Sequence, residues 1–377
     1  INAPRFVDAR EKVFTSPHEV LRETPEGFER LKKVKDDEGN WVATEPRPGD
    51  IGVSRLLVAG WAINDDLEPG VPFVGINYFN YNFRGTGNQF NVAWAGPFLN
   101  VFWSDPSLAD TRTILALETR LNPIGKNDRR FVEGDGKIGD VTAERLEVTT
   151  QTVTGTVAYP VAVYHTLQTV ANLDYLRFER EDETAGSFTL PSDTVEASLS
   201  LNWVYAQAGW RLDLGAQGAV RTGWEFWGKP DGSDYDPDHE RFVRSSLILN
   251  KTIYPRPLDR LGFRIAAFGG KDLDRFSKFE LGEFGAGRIN GYGSGIRFDR
   301  GAFLDLNYGV SLKRQVQLDF TLSHGRFENE EDYGPDPHWA TGANVAVGFS
   351  GPWNSYFRVR VTGGLGTSLE DPTTSVG

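Results

Sequence analysis

The residues best able to do chemistry are scattered. Five histidines, His18, His165, His239, His324 and His338, fall on separate segments with no spacing that would gather them on one metal. Cysteine is absent, so thiolate metal sites and disulfides are excluded. Asp231, Asp234, Asp236 and Asp238 crowd into "DGSDYDPDHE", where their oxygens could surround Ca²⁺. The spacing is not that of an EF-hand, however, and Pro237 restricts the loop. A solvated acidic loop, or one holding divalent ions near anionic lipid, is the competing reading. Ser294 lies in "GYGSG", but Tyr292 takes a place that a nucleophile elbow gives to glycine, and no strand-turn-helix context surrounds it. "FGAGRING" imitates a phosphate loop only loosely, with no helix to follow. No enzyme and no cofactor is expected.

The elements that carry these residues read as β-structure. Of 377 residues, 42 are Gly and 25 Phe while only 39% are hydrophobic, a balance that favours many chain reversals over an aliphatic core. No run approaches the ~18 consecutive apolar residues of a membrane helix. A membrane barrel stays open to this chain, because its strands alternate and never look hydrophobic on average. From Ile51 onward the period is two. In "VEASLSLNWV", Val195, Ala197, Leu199, Leu201 and Trp203 share one face, and Glu196, Ser198, Ser200 and Asn202 share the other. "LDLNYGVSL", "QVQLDFTLS", "NVAVGF" and "YFRVRV" repeat the split.

Soluble sandwiches alternate too, so the connections decide. Tight ones are expected at Arg84–Gly87, Ala158–Val161, Ala206–Gly209, Leu312–Gln315 and Gly351–Asn354, and long polar ones near 123–142, 181–192, 226–240, 272–298 and 327–338. Short and long alternate, as in an up-and-down barrel with short periplasmic turns and long outer loops. The expected fold class is therefore all-β: a transmembrane antiparallel barrel of about sixteen strands over 51–377, in a bacterial outer membrane. Tyr78, Phe79, Tyr81, Phe83, Phe90, Trp94, Phe98, Phe102 and Trp103 fit an interfacial aromatic girdle. Residues 1–50 read as a periplasmic arm or short helix, with Val20, Leu21, Phe28 and Leu31 at helical spacing. Counted from Ile51, reversals give about fifteen strands. A missed strand, one not included or one from another chain would close the sheet, and "TSLEDPTTSVG" reads as a last outer loop.

"INYFNYNFRGTGNQFNVAWAG" followed by "FWSDPSL" resembles the first hairpins of the BamA-type outer-membrane insertase and translocase superfamily. "GAGRINGYGSG" stands where that family has a long sixth outer loop facing the lumen. The resemblance covers roughly Ile51 to Gly366. It implies a loop tip at Arg288, Ile289, Asn290, Gly291 and Tyr292, and a contact on the thirteenth strand.

Departures from the family pattern sharpen these expectations. Asn290 replaces the family's tip arginine, and "FTLSHG" puts Ser323 where that strand usually carries an acid. One buried charge left alone costs roughly 3 to 5 kcal/mol, so neutral Asn and Ser should change together and lie within hydrogen-bond reach. Arg288 or Arg297 against Asp305 or Asp319 is the alternative pairing. Fifty residues at the front are too few for the substrate-receiving POTRA repeats, which implies a member lacking them or a barrel cut from a longer chain. The implied function is protein assembly, translocation or export; the alternative is a structural anchor of an outer-membrane complex without transport activity. Expected partners are outer-membrane lipid or lipopolysaccharide and proteins of a membrane complex. Net charge is -12 with no basic block, so nucleic acid is not expected.

Overall fold

The computed structural model describes residues 19–24, 27–43, 53–64, 67–84, 86–123, 125–134, 137–229, 240–256, 258–282, 285–292, 295–312, 316–350, 356–368 and 374–376. Sixteen antiparallel strands follow one another around a closed barrel. They are β1 Val53–Asn64, β2 Leu67–Phe83, β3 Asn88–Ala95, β4 Phe98–Asp105, β5 Ile114–Leu121, β6 Leu146–Ala162, β7 His165–Arg180 and β8 Thr194–Gln207. Then come β9 Trp210–Arg221, β10 Arg241–Ile253, β11 Asp259–Lys271, β12 Arg300–Leu312, β13 Val316–Glu328, β14 His338–Ser350, β15 Tyr356–Thr367 and β16 Thr374–Val376. The segment Lys126–Asp128 prolongs the line of β5 and pairs with the outer end of β6.

The alternation sorts side chains as a membrane wall requires. Val195, Leu199 and Leu201 are 38%, 54% and 61% exposed, while Glu196 and Ser198 between them are buried. Leu173, Phe320, Leu322, Val345 and Val361 are likewise exposed. In water such a belt would forfeit about 25 cal/mol for each Å² of apolar surface left wet. Against hydrocarbon that cost vanishes, and the polar faces line the tube.

Several expectations change. The sheet needs no strand from elsewhere: its sixteenth is Thr374–Val376, inside the stretch read as a loop, paired with Val361–Gly363 and next to β1 in the ring. The turn read at Ala158–Val161 lies further on, because β6 runs through Pro160 to Ala162 with an irregularity there, a place where a strand tolerates proline. The helix expected near Val20–Leu31 is a three-stranded sheet of Glu19–Thr24, Gly27–Lys35 and Trp41–Ala43. The aromatic cluster also divides. Ile76, Trp94, Leu99 and Leu121 share an outward rung, whereas Phe79, Asn91, Phe102 and Glu118 share an inward one.

Strand length varies around the ring. β6 and β7 have 17 and 16 residues. β3, β4 and β5 have 8 each.

The connection between β11 and β12, residues 272–299, turns into the lumen. Within it Phe279–Glu280 pairs with Arg297–Phe298. Ala266, Phe303, Gly325 and Ala340 form one inward rung across β11 to β14. On this wall the loop packs Leu273, Phe279, Leu281, Ile289, Tyr292 and Phe298 in the main apolar core. The main apolar core is therefore the interface between a plug and one side of its barrel, beside a second cluster of Leu146, Phe178, Phe188, Trp224 and Trp227.

Candidate functional site: the lumen plug

The plug's tip rests on a track of small residues. Ile289 is fully buried in the apolar core, and Arg288 beside it is exposed. The backbone N–H of Asn290 donates to Ser323 Oγ at 2.9 Å, and its Nδ2 donates to the same oxygen at 3.0 Å. Ser323 Oγ in turn donates to the Gly342 carbonyl at 3.2 Å. A Cβ at Gly342 would stand 1.7 Å from the Asn290 carbonyl oxygen, so only glycine admits the tip there. Gly291, at φ +79°, lies so close to Gly363 and Gly364 that its own Cβ would meet their backbone at 2.1–2.2 Å. The Tyr292 hydroxyl donates to the Gly366 carbonyl at 2.9 Å. It thereby ties the tip to β15 where the β14–β15 register shifts.

Asp305 and Asp319 hold other partners. Register puts Arg264 opposite Asp305, and they pair at 2.9 Å. Asp319 takes Arg260 at 3.3 Å and Arg358 at 3.4 Å. The ion pairs of these aspartates are thus made by cations of the wall itself, while Arg288 acts on Asp305 through its charge without forming the pair. Arg297 instead pairs with Asp128. Asp231, Asp234, Asp236 and Asp238 lie outside the described residues, among which no His, Cys, Asp or Glu group could hold a metal.

With the barrel and its plug in view, the comparisons fall into place. No family model matches the sequence, and no curated protein matches it. Among solved structures, BamA from Haemophilus ducreyi lacking POTRA domains 1–3 is similar at a TM-score of 0.56. Identity there is 10%, over 100% of this chain and 76% of that one. CdiB from Escherichia coli is similar at 0.55, with 12% identity over 97% and 67% of the two chains. CdiB from Acinetobacter baumannii gives 0.52 and 11%, over 95% and 64%. The chain folds as a BamA-like barrel. Its architecture is that of outer-membrane β-barrels, and at such identities the likeness is one of fold.

In this BamA-like barrel the base of the plug is held by buried charge. Asp128, from the connection between β5 and β6, accepts from Arg275 Nε at 2.8 Å and from Arg297. Arg275 also donates to the Glu144 carbonyl at 2.8 Å. Arg130 bridges Glu144 at 3.1 Å and Asp332 at 2.8 Å. Lys278 donates to Asn329 Oδ1 at 2.7 Å and to Glu331. The network joins three outer loops, 122–145, 272–299 and 329–337. Burial alone would push the Asp128 carboxyl up, but Arg275 and Arg297 outweigh it and hold the group below the usual range. Asp332 is likewise lowered, its burial outweighed by Lys278 and Arg130. Asp299 is pushed up to about 6 by burial, which Lys278 offsets only in part.

Sequence reasoning missed this network. Arg275 and Asp128 stand 147 positions apart, and no local spacing marks either. Gly342, Gly363 and Gly364 were equally silent, since a glycine in an alternating strand does not announce what approaches it.

Proposed function

We propose that this barrel works in protein assembly, translocation or export across the bacterial outer membrane. Its movable part is the tip of the sixth outer loop, and its weakest join is at the short β16, between β15 and β1. One observation carries this reading: the tip is held by neutral contacts on β13, β14 and β15, and β15 itself pairs with β16 at only three described positions. A tip whose one charged residue, Arg288, is exposed leaves its seat without stranding a buried ion.

A planar-bilayer recording with Asn290→Cys and Ser323→Cys in one chain tests this, since the native sequence has no cysteine to interfere. Opening events should be present under reducing conditions and disappear once the pair is oxidised. Events that ignore the cross-link would reject the tip as the movable part.

The buried ionic base favours the other reading, a sealed structural anchor in a membrane complex. Such a barrel would be silent in both redox states and would co-purify with partner proteins.

A further inference from the structure

Below the plug tip, the inward wall carries an unusual charge pattern. Four inward rungs descend from the tip along β11 to β15. The first holds Arg264, Asp305, Ser323, Gly342 and Gly364, and the second Gly262, Asn307, Thr321, Asn344 and Thr362. The third holds Arg260, Gly309, Asp319, Ala346 and Arg360, and the fourth adds Gln317, Gly348 and Arg358. Asp319 lies four residues before Ser323 on β13, so the third rung sits ~13 Å nearer the short-turn, periplasmic end at ~3.3 Å per residue.

Ionisable groups that face the lumen set the sign of the field inside the tube, and an excess of one sign selects what can enter. Arg264 is answered by Asp305. Arg260 and Arg358 approach opposite oxygens of the single Asp319 carboxylate, which also accepts from Gln317 Nε2 at 3.0 Å. A carboxylate has about four acceptor positions and each guanidinium five N–H donors, so donors outnumber what Asp319 can take. The side chains of Arg260 and Arg358 are 46% and 51% exposed, which turns the surplus toward the open lumen. Gly309, Ala346 and Gly348 between them keep the floor low. A Cβ at Gly309 would meet Asp319 Oδ1 at 2.7 Å, so the small residue is what lets the arginine fork lie across. In a chain of net charge -12, this part of the inner wall is a cationic vestibule.

We infer that the vestibule formed by Arg260 and Arg358 binds an acidic polypeptide segment entering from the periplasmic side, with its carboxylates beside Asp319. The inference deepens the transport reading by giving the chemistry of the segment received. It does not need the barrel to open, so binding and transport can fail separately.

The test uses the full chain in detergent, with fluorescently labelled deca-glutamate, deca-glutamine of equal length and inorganic phosphate. Deca-glutamate should bind about tenfold or more tighter than deca-glutamine, with an affinity that falls as salt rises. Phosphate should not displace it at equal concentration of charge. Arg358→Gln should weaken binding about tenfold. Asp319→Asn, which removes the competing carboxylate, should strengthen it. A merely structural Arg–Asp–Arg bridge predicts no preference between the peptides, or the same direction of change in both variants, and either result overturns the inference. So does displacement by phosphate, which would mark a small-anion site. The peptide comparison on the unaltered chain decides the matter even if one variant does not fold.

Discussion

The base and the tip of the plug are fixed by opposite chemistry. At the base, Asp128, Arg275, Arg297, Arg130, Asp332 and Lys278 form charge-assisted bonds between three loops, all buried. At the tip, Asn290 and Ser323 form neutral bonds across a glycine floor. Removing one partner from the first arrangement strands an ion, whereas lifting the second breaks neutral bonds worth about 1 kcal/mol each and uncovers Ile289 and Tyr292, with no ion stranded. The root of the loop is thus held by buried charge and its end by neutral and apolar contacts, which is why the transport reading assigns motion to the tip alone.

The contrast can be broken most severely at the root. Asp128→Asn should cost about 3 to 5 kcal/mol by leaving Arg275 and Arg297 short of a counter-charge. A lower unfolding temperature, read from heat-modified gel mobility, measures it. A loss near zero would mean the root is not pinned. Next comes a charge at the tip. Asn290→Arg alone should destabilise by several kcal/mol, and adding Ser323→Asp should recover at least about 2 kcal/mol. A double-mutant cycle with no coupling would show that the two positions do not answer each other.

Gly342→Val drives a side chain into the Asn290 carbonyl. It should dislodge the tip at about 1 to 3 kcal/mol while the barrel still folds, seen as more frequent opening in bilayers. The smallest effect is on pH. The Asp299 carboxyl, with its folded value raised to about 6, favours the folded state when protonated. Its contribution is therefore complete below the ordinary carboxylate value near 4 and is lost as pH rises through about 6. Its side chain is 31% exposed, so solvent screening keeps the effect small. Asp128 and Asp332 act in the opposite sense, their contribution fading as pH falls toward their lowered values. Asp299→Asn should flatten the change between about pH 4 and 6 that this group contributes, and leave the opposite contributions of Asp128 and Asp332 in place, which hydrogen exchange in the 272–299 loop would report.

Much of the wall was legible because one physical demand repeats along it. Val195 to Trp203 and Val316 to Ser323 must each wet hydrocarbon on one side, and that demand prints a period of two wherever it holds. The long connections announced themselves by polarity. Thr374–Val376 was missed because three residues are too few to show a period. Pro160 misled because proline marks turns and strand irregularities alike. Val20, Leu21, Phe28 and Leu31 fit a helical face by spacing, yet Glu19–Thr24 and Gly27–Lys35 pair as a hairpin, since so short a pattern cannot separate the two periods. The tip was found through family resemblance. The ionic root could not be, because its partners are set by the return of distant strands to the same rim.

The uneven strands have a consequence for the lipid. At a tilt of about 40°, eight residues climb only ~20 Å, less than the ~30 Å of hydrocarbon, while seventeen climb beyond it. A bilayer cannot meet both heights undistorted. Acyl chains beside β3 and β4 are therefore expected to splay and shorten, thinning the film over that short arc of the wall.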